Sequence, residues 1–336
     1  MPTTPPPALL VMAPSTLSVQ FGPHHLDRLR TAVQLHDPAV VAGFDEAPHF
    51  LAATEVLLTS WGCPPITHEV LDAAPRLRAI VHAAGSVRGL VPPDIHERGI
   101  EVTTAAHLNA VPVAEFTLAS IIFAGKRALP LAELGRTNPA GWEQSFTAQN
   151  LSNLGRTIGI VGFSRIGQEV LARLPMLDTA AVLVADPFAD PAEVAAAGGT
   201  LLPLEEVLER SDILSLHAPL LPATAGMIGA AELARLPDGA TIINTARGGL
   251  IDHDALTREC RTGRLDAILD VTDPEPLPAG HPLLALPNVT ITPHLAGSLG
   301  SETMRLADFA VDAVVSYAAG RPLPGALTLE ASEVSA

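Results

Sequence analysis

Three ionisable side chains of the types used in proton transfer and anion binding lie in the second half of the sequence: Arg247, Glu275 and His294. Each stands in the segment that follows a short apolar run, the pattern of a strand buried on both faces. A histidine can give or take a proton near neutral pH, an arginine can hold a carboxylate with two hydrogen bonds, and a neighbouring glutamate can orient the histidine. The set is typical of acid–base chemistry on a small anion. Taken singly, Arg247 could instead contact a phosphate, and Glu275 could be a solvated loop carboxylate.

A glycine turn earlier in the same half stands in the order strand, tight turn, helix. The apolar run 157–161 leads into it and the helical run 168–174 follows it. In such a turn the first glycine permits the bend, the last permits close packing of helix on strand, and a pyrophosphate rests on the amides at the helix start. The turn therefore predicts a dinucleotide site. Its residues are Gly162, Phe163, Ser164, Arg165, Ile166 and Gly167.

Two residues bear on which dinucleotide binds there. Asp186 ends the next apolar run, where a carboxylate accepts hydrogen bonds from the adenosine ribose and repels a 2′-phosphate, so NAD is predicted over NADP. The alternative for Asp186 is a turn aspartate before Pro187. Ser164 replaces the middle glycine of the usual pattern, and its hydroxyl could bond a phosphate oxygen.

Apolar runs recur along the chain at the spacing of parallel strands joined by helices. They predict an α/β protein with a doubly wound parallel sheet in the second half and a second α/β unit before it. Two long helical patterns, 112–134 and 302–319, are predicted to join the domains, and the tail after Gly320 is predicted to be extended or mobile. The predicted strands are 8–12, 56–59, 79–82, 101–103, 157–161, 181–185, 213–216, 241–244, 267–271 and 289–292, with a further helix at 24–33.

Composition excludes several classes. A chain of 336 residues that is 48% hydrophobic is expected to form two globular domains. A formal charge of −16 argues against nucleic-acid and acidic-membrane partners, and no unbroken apolar run reaches the roughly 18–20 residues of a membrane span. The start, 1–7, has neither the charge nor the apolar run of a signal peptide, so a cytoplasmic location is expected.

Cysteine and lysine usage narrows the chemistry further. Cys63 and Cys260 are far apart and outside any metal-ligand spacing, so buried reduced thiols are expected and neither a disulfide nor a metal site is predicted. Lys126 is the only lysine and follows a helical run, which argues against Schiff-base catalysis.

Taken together, the motifs resemble those of the D-isomer-specific 2-hydroxyacid dehydrogenase family over nearly the whole chain. The resemblance implies a flavodoxin-like α/β substrate domain at 1–110 plus 297–336, a Rossmann-type NAD domain at 111–296, and a homodimer. The matching runs are 155–167, 217–220, 244–252, 270–276 and 292–294.

The same resemblance implies residue roles. Arg247 would bind the substrate carboxylate and carbonyl, His294 would be the general acid/base, and Glu275 would pair with His294. Asp270 and Ala246 would meet the nicotinamide carboxamide. Further substrate contacts are expected from Ala84, Gly85, Ser86, Val87 and Asn109. Further NAD contacts are expected from the six turn residues 162–167 and from Asp186, His217, Ala218, Pro219, Thr224, Thr245, Arg247, His294 and Gly297.

The implied reaction is reduction of a 2-oxo acid, with NADH giving hydride to C2 and His294 supplying the proton. Oxidation of another small anion, as in formate- or phosphite-oxidising relatives, and non-catalytic NAD sensing are the alternatives. A sensor has no need of an acid–base pair, so the complete set of three favours an enzyme. Two departures leave the substrate open: Arg88 could bind a second anionic group or a surface carboxylate, and Trp61 could cap an apolar side chain or pack between domains.

Overall fold

The computed structural model describes residues 4–138 and 151–327. The chain divides into two compact units: the first unit is Met1–Asn109 with Ser298–Ala336, and the second unit is Ala110–Gly297. Each is built on a parallel β-sheet with helices, as the α/β fold class predicted.

The regular elements follow the predicted apolar runs closely. Helices begin where the sequence supplies caps: the side chains of Ser164, Asp190 and Asp252 each accept a backbone amide of the helix that follows. The strands are β1 Pro7–Val11, β2 Gln34–Val41, β3 Val56–Thr59, β4 Ala79–His82, β5 Glu101–Thr104, β6 Thr157–Val161, β7 Ala181–Ala185, β8 Thr200–Leu201, β9 Ile213–Leu216, β10 Thr241–Asn244, β11 Asp266–Leu269 and β12 Val289–Ile291. The helices are α1 Pro14–Gln20, α2 Pro23–Ala32, α3 Pro48–Leu51, α4 His68–Ala73, α5 Ala106–Lys126, α6 Ala128–Thr137, α7 Arg165–Arg173, α8 Pro191–Ala196, α9 Leu204–Arg210, α10 Ala230–Arg235, α11 His253–Arg261 and α12 Thr303–Ala318.

The first unit has the strand order β2-β1-β3-β4-β5, which is the flavodoxin-like order. Successive residues of β1 enter different cores: Leu10 packs on one face of the sheet and Leu9 on the other. The edge strand β2 was not predicted. In its sequence, Gln34–Val41, the residues His36, Asp37 and Pro38 interrupt the apolar positions, and all but Val41 are half-buried or exposed, so it lacks the continuous apolar run that marked the central strands.

The second unit has the order β12-β11-β10-β9-β6-β7-β8. The chain runs outward from β6 through β7 to β8, then returns to β9 and continues outward on the other side. The point where the order reverses, between β6 and β9, is where doubly wound sheets bind their ligands. The glycine turn follows β6 directly. The short edge strand β8 carried no predicted signal.

The long helix expected over 112–134 is wrong as a single element. Helix α5 begins before Pro112 and ends at Lys126, and α6 follows after a break at Arg127, which has a left-handed φ of 46°. The Arg127 guanidinium donates to both carboxylate oxygens of buried Asp266, at 2.7 and 3.0 Å. This ion pair holds the residue at which the helix turns.

Helix α5 is also the one helix among the described residues that is long and apolar enough to cross a membrane. Half of its most apolar 18-residue window is buried inside the protein. A helix in a protein core passes the same test of length and composition, so this property alone does not identify a membrane span.

The C-terminal segment completes the first unit. Helix α12 lies within the predicted 302–319 and buries Leu306, Ala310 and Val314. The tail beyond it is extended, as predicted, and is anchored to β5: Leu327 N–H donates to the Val102 carbonyl at 2.8 Å. The rest of the tail, 328–336, lies outside the described residues.

Candidate active site

The predicted acid–base pair is formed in the second unit. His294 Nδ1 lies 2.6 Å from Glu275 Oε1, and the two side chains are 52% and 41% exposed. His294 has a left-handed φ of 53°, a conformation that costs energy in a residue other than glycine and is concentrated at functional sites. Because Nδ1 faces the carboxylate, Nε2 is the nitrogen available to a substrate.

The loop that carries His294 is held by Asp270. The buried Asp270 carboxylate accepts from Thr292 Oγ1 at 2.6 Å, from Leu295 N at 2.8 Å and from Ala296 N at 2.9 Å. Its backbone carbonyl also accepts the His294 amide at 2.9 Å. Asp270 therefore positions the histidine loop. Its expected contact with the nicotinamide carboxamide stays a prediction.

Arg247 follows β10, the strand next to β11. Buried Asn244 shapes the turn: its Oδ1 accepts the Ala246 amide at 3.0 Å and its Nδ2 donates to the Arg247 carbonyl at 2.9 Å. Burial lowers the pKa of the Arg247 guanidinium, and the nearby charge of Glu275 offsets only part of that shift. An arginine stays cationic across the physiological range, so a fixed positive charge lies beside the His–Glu pair.

Two residues of this site were not singled out from the sequence. Asn244 ends a strand, where an Asn that bonds its own turn is a recognisable signal. Gly248 lets the turn approach the next loop, because a Cβ there would lie 2.0 Å from the Thr272 carbonyl carbon and oxygen. That contact joins loops distant in sequence, so spacing gave no sign of it.

The glycine turn has the shape a pyrophosphate needs. Gly162 has φ 98°, and a Cβ on it would lie 2.6 Å from the Ala218 amide nitrogen. A Cβ on Gly167 would lie 2.1 Å from the Gly162 carbonyl oxygen. Side chains are excluded at both positions, and helix α7 starts at Arg165 with amides that have no carbonyl partner in their own helix. These residues fit a dinucleotide.

The Ser164 hydroxyl makes hydrogen bonds inside the protein. Its hydroxyl donates to the His217 carbonyl at 2.8 Å and accepts the Gly167 amide at 3.4 Å, which makes it the N-cap of α7. Its proton is therefore used inside the protein and is not directed at a phosphate. The side chain ties the glycine turn to the segment that follows β9.

Asp186 directly follows β7, the position expected both for a ribose ligand and for a turn aspartate. One carboxylate oxygen accepts the Phe163 amide at 2.8 Å, and the other accepts the Phe188 amide at 2.9 Å. The second bond is that of a turn aspartate, and the first fixes the carboxylate against the glycine turn. The ribose contact stays a prediction, and the carboxylate is held at the carboxyl end of β7 where that contact would be made.

Several other expected NAD residues turn their side chains into the second unit. His217 is buried, its Nε2 lies 2.9 Å from Ser215 Oγ, and burial lowers its pKa to about 3. Thr245 Oγ1 lies 2.9 Å from Thr117 Oγ1 in the core. Thr224 Oγ1 donates to the Pro219 carbonyl at 2.5 Å. These contacts shape the loops at the carboxyl ends of the strands, and the expected NAD contacts of the three residues stay predictions. Ala218 packs on Gly162, Ala246 is buried beside Asn244, and Ile166 and Gly297 are half-buried.

The expected substrate loop lies in the first unit, after β4. Thr104 Oγ1 contacts the carbonyls of Ala84, at 2.9 Å, and Gly85, which turns both carbonyls inward. The amides of Gly85 and Val87 make no hydrogen bond with described residues of this unit. Backbone amides that lie close together in one loop without an internal acceptor can bind an anion. Val87's side chain is in the core, Ser86 Oγ accepts the Arg88 amide at 3.1 Å, and Asn109 Oδ1 accepts the Ser298 amide at 2.9 Å.

The second unit thus combines a dinucleotide turn at a sheet switch point with a His–Glu pair and an arginine at the carboxyl ends of β10, β11 and β12. This combination defines the class of nucleotide-dependent α/β oxidoreductases. Residues 121–296 match the model of the D-isomer specific 2-hydroxyacid dehydrogenase, NAD binding domain. The chain belongs to the D-isomer specific 2-hydroxyacid dehydrogenase family, and its cofactor is NAD.

Named relatives agree with this assignment. The chain is 35% identical to D-3-phosphoglycerate dehydrogenase of Mycobacterium tuberculosis over 262 residues, covering 78% of this chain and 49% of that protein. It is 32% identical to glyoxylate reductase of Thermofilum pendens over 273 residues, covering 80% of each. The crystal structure of TT0316 protein from Thermus thermophilus superposes with a TM-score of 0.77 at 31% identity, covering 96% of this chain and 100% of that one. The chain spans about half the length of the phosphoglycerate dehydrogenases that it matches.

Proposed function

We propose that the chain is an NAD(H)-dependent D-2-hydroxyacid dehydrogenase that works as a 2-oxo acid reductase. The observation that carries the proposal is the His294–Glu275 pair, 2.6 Å apart, beside the cationic Arg247. Such a set can polarise a carbonyl and protonate the alkoxide that forms from it. The relatives named for glyoxylate reduction and phosphoglycerate oxidation support the same chemistry.

Each residue has one task in this proposal. NADH, when bound, supplies the hydride that C2 of the substrate accepts. The Arg247 guanidinium holds the substrate carboxylate and the carbonyl oxygen, which raises the electrophilicity of C2. His294 donates the Nε2 proton to that oxygen, and Glu275 accepts the Nδ1–H bond, which sets the ring orientation and balances its positive charge.

The remaining contacts follow from the first unit and from the glycine turn. The amides of Gly85 and Val87 are proposed to bind the substrate carboxylate, because their loop turns its carbonyls away. Asp186 is proposed to bind the adenosine ribose and to favour NAD over NADP. A homodimer in the cytoplasm, with no nucleic-acid or membrane partner, completes the proposal.

The test is NADH oxidation by the purified protein against a panel of 2-oxo acids that includes glyoxylate and 3-phosphohydroxypyruvate, followed at 340 nm. Turnover of at least one, strongly reduced in His294→Gln, is the expected result. Formate and phosphite with NAD form a second arm, and turnover there alone would reassign the reaction. If the protein binds NADH but turns over no substrate, the enzyme proposal is wrong and non-catalytic NAD sensing is the better interpretation.

A further inference from the structure

Trp61 follows strand β3 of the first unit, and the proposed carboxylate loop follows the neighbouring strand β4. Thr59 and His82 are paired in the parallel register of β3 and β4, so Trp61 and Ala84 each stand two residues beyond that pair. Neighbouring strands lie about 4.8 Å apart, a distance that an indole ring spans. The two segments are also in contact, because Ser60 Oγ, just before Trp61, lies 3.4 Å from the carbonyl oxygen of Ala83, just before Ala84. The segment with Trp61 and the loop at Ala84 therefore follow the carboxyl ends of two neighbouring strands.

The backbone of Trp61 is held in place. Its carbonyl accepts two hydrogen bonds, from the Ala13 amide and from Thr16 Oγ1, both at 3.0 Å. Gly62 has φ 83°, and a Cβ on it would lie 2.5 Å from Ala13 Cβ. No other residue fits there without strain, so the turn presents the preceding side chain from a rigid base.

The indole itself is 38% exposed, and it is the one exposed aromatic among the first unit's described residues. Two titratable groups near its turn, His82 and Cys63, carry no charge at neutral pH. Burial lowers the pKa of His82 to about 4 and raises the pKa of the Cys63 thiol to about 12. The buried Gln20 amide bonds Ser60 and the Ala83 carbonyl. Trp61 is thus an exposed apolar side chain whose turn lies near these neutral groups.

We propose that Trp61 determines substrate specificity by contacting the substituent on C2, so that the enzyme favours 2-oxo acids with an apolar and above all aromatic side chain. This inference rests on the proposed function, in which the amides of Gly85 and Val87 hold the C1 carboxylate. The C2 substituent starts one bond from that anchor, and Trp61 stands in the segment after the neighbouring strand. A flat apolar group on an aromatic ring gains both area burial and ring stacking.

The experiment compares kcat/KM with NADH for glyoxylate, 4-methyl-2-oxopentanoate, phenylpyruvate and 2-oxoglutarate. Wild type is expected to prefer phenylpyruvate. Trp61→Ala is expected to lower kcat/KM for phenylpyruvate by about ten- to a hundredfold, mainly through KM, and that for glyoxylate by less than about threefold. Trp61→Phe is expected to keep most of the preference and guards against a misfolded alanine variant. Met176→Ala, which removes a 71% exposed side chain from the second unit, is the matched control.

The outcomes separate the two proposals. If wild type reduces glyoxylate and Trp61→Ala leaves the phenylpyruvate-to-glyoxylate ratio unchanged, Trp61 has no part in specificity and the enzyme assignment stands. An equal loss for all four acids would mean that the indole only supports packing. A wild-type preference for 2-oxoglutarate would assign the recognition to a second anion, with Arg88 as its ligand. If no 2-oxo acid is reduced, both proposals fail together.

Discussion

In both units the candidate ligand contacts follow the carboxyl ends of parallel strands, but the two units use different chemical groups there. In the second unit, the carboxyl ends of the strands bear the charged groups Asp186, Arg247, Glu275 and His294. In the first unit, the same edge bears backbone amides, a neutral histidine and an indole. A parallel sheet supplies the place for a ligand, and the loops decide the chemistry. We expect proton transfer to depend on the second unit and the choice of side chain on the first.

Both edges are nevertheless braced by one device: a buried polar side chain that bonds the backbone of a functional loop. Asp270 and Asn244 do so in the second unit, and Thr104 and Gln20 do so in the first. Buried hydrogen bonds of this kind are costly to break, because the abandoned partner stays desolvated. The reactive groups can therefore stand in solvent while the loops beneath them hold their geometry.

The largest expected effect comes from His294→Gln. Loss of the proton donor should lower kcat by about 10²–10⁴-fold, while the NADH Kd changes less than about threefold. Stopped-flow kinetics and NADH titration measure the two quantities. His68→Gln, an exposed histidine of the first unit that faces Asp94, is the matched control and should retain wild-type kcat. A loss under tenfold in His294→Gln would place the proton donor elsewhere.

Arg247→Lys should come next, because lysine keeps the charge but loses the fork that holds two oxygens at once. We expect kcat/KM for the preferred 2-oxo acid to fall by about tenfold to a hundredfold, the value of a charge-assisted hydrogen bond. Arg235→Lys, at an exposed pair with Glu209, is the control for the substitution itself. Equal kinetics for the Arg247 variant and wild type would show that a point charge suffices there.

Much of this second-unit site was readable in the sequence. Arg247, Glu275 and His294 follow strands that are continuous apolar runs, and parallel topology brings such ends to one edge. The glycine turn was recognisable for the same reason. Edge strand β2 was missed because His36, Asp37 and Pro38 interrupt its apolar residues and most of it is half-buried or exposed. The break after Lys126 was missed because it depends on an ion pair with Asp266, 139 residues away in sequence.

The roles of Ser164 and Asp270 show a second limit. Position in a motif indicated that each would face the cofactor, and residue type allowed it. The structure shows the Ser164 hydroxyl donating to the His217 carbonyl and the Asp270 carboxylate accepting amides of the histidine loop, and the expected cofactor contact of Asp270 stays a prediction. Short polar side chains near strand ends can serve the backbone or a ligand equally well, and only the three-dimensional arrangement decides between them.

Asp186→Ala should change cofactor choice moderately. Removing the carboxylate removes its repulsion of a 2′-phosphate, so the ratio of kcat/KM for NADPH to that for NADH should rise by about tenfold. Thermal stability should also fall, because the amides of Phe163 and Phe188 lose their acceptors. Asp186→Asn keeps one acceptor and no charge, and it separates the two effects. An unchanged cofactor ratio in both variants would reduce Asp186 to a turn residue.

The smallest effect concerns the buried histidines that end comparable strands, His82 in the first unit and His217 after β9 in the second. Burial lowers the pKa of His82 to about 4 and that of His217 to about 3, below the ordinary value of 6.5. The unfolded chain therefore binds their protons more readily, so stability is complete above pH 6.5 and falls as the pH drops from there toward 4. By pH 5.5 each histidine should cost about 1 kcal/mol in the free energy of unfolding.

Urea unfolding at pH 7.5 and 5.5 should show a smaller difference for His82→Gln than for wild type, with exposed His68→Gln as control. The same pH difference in His82→Gln and wild type would mean that His82 takes up its proton without unfolding, against the burial that the first unit shows.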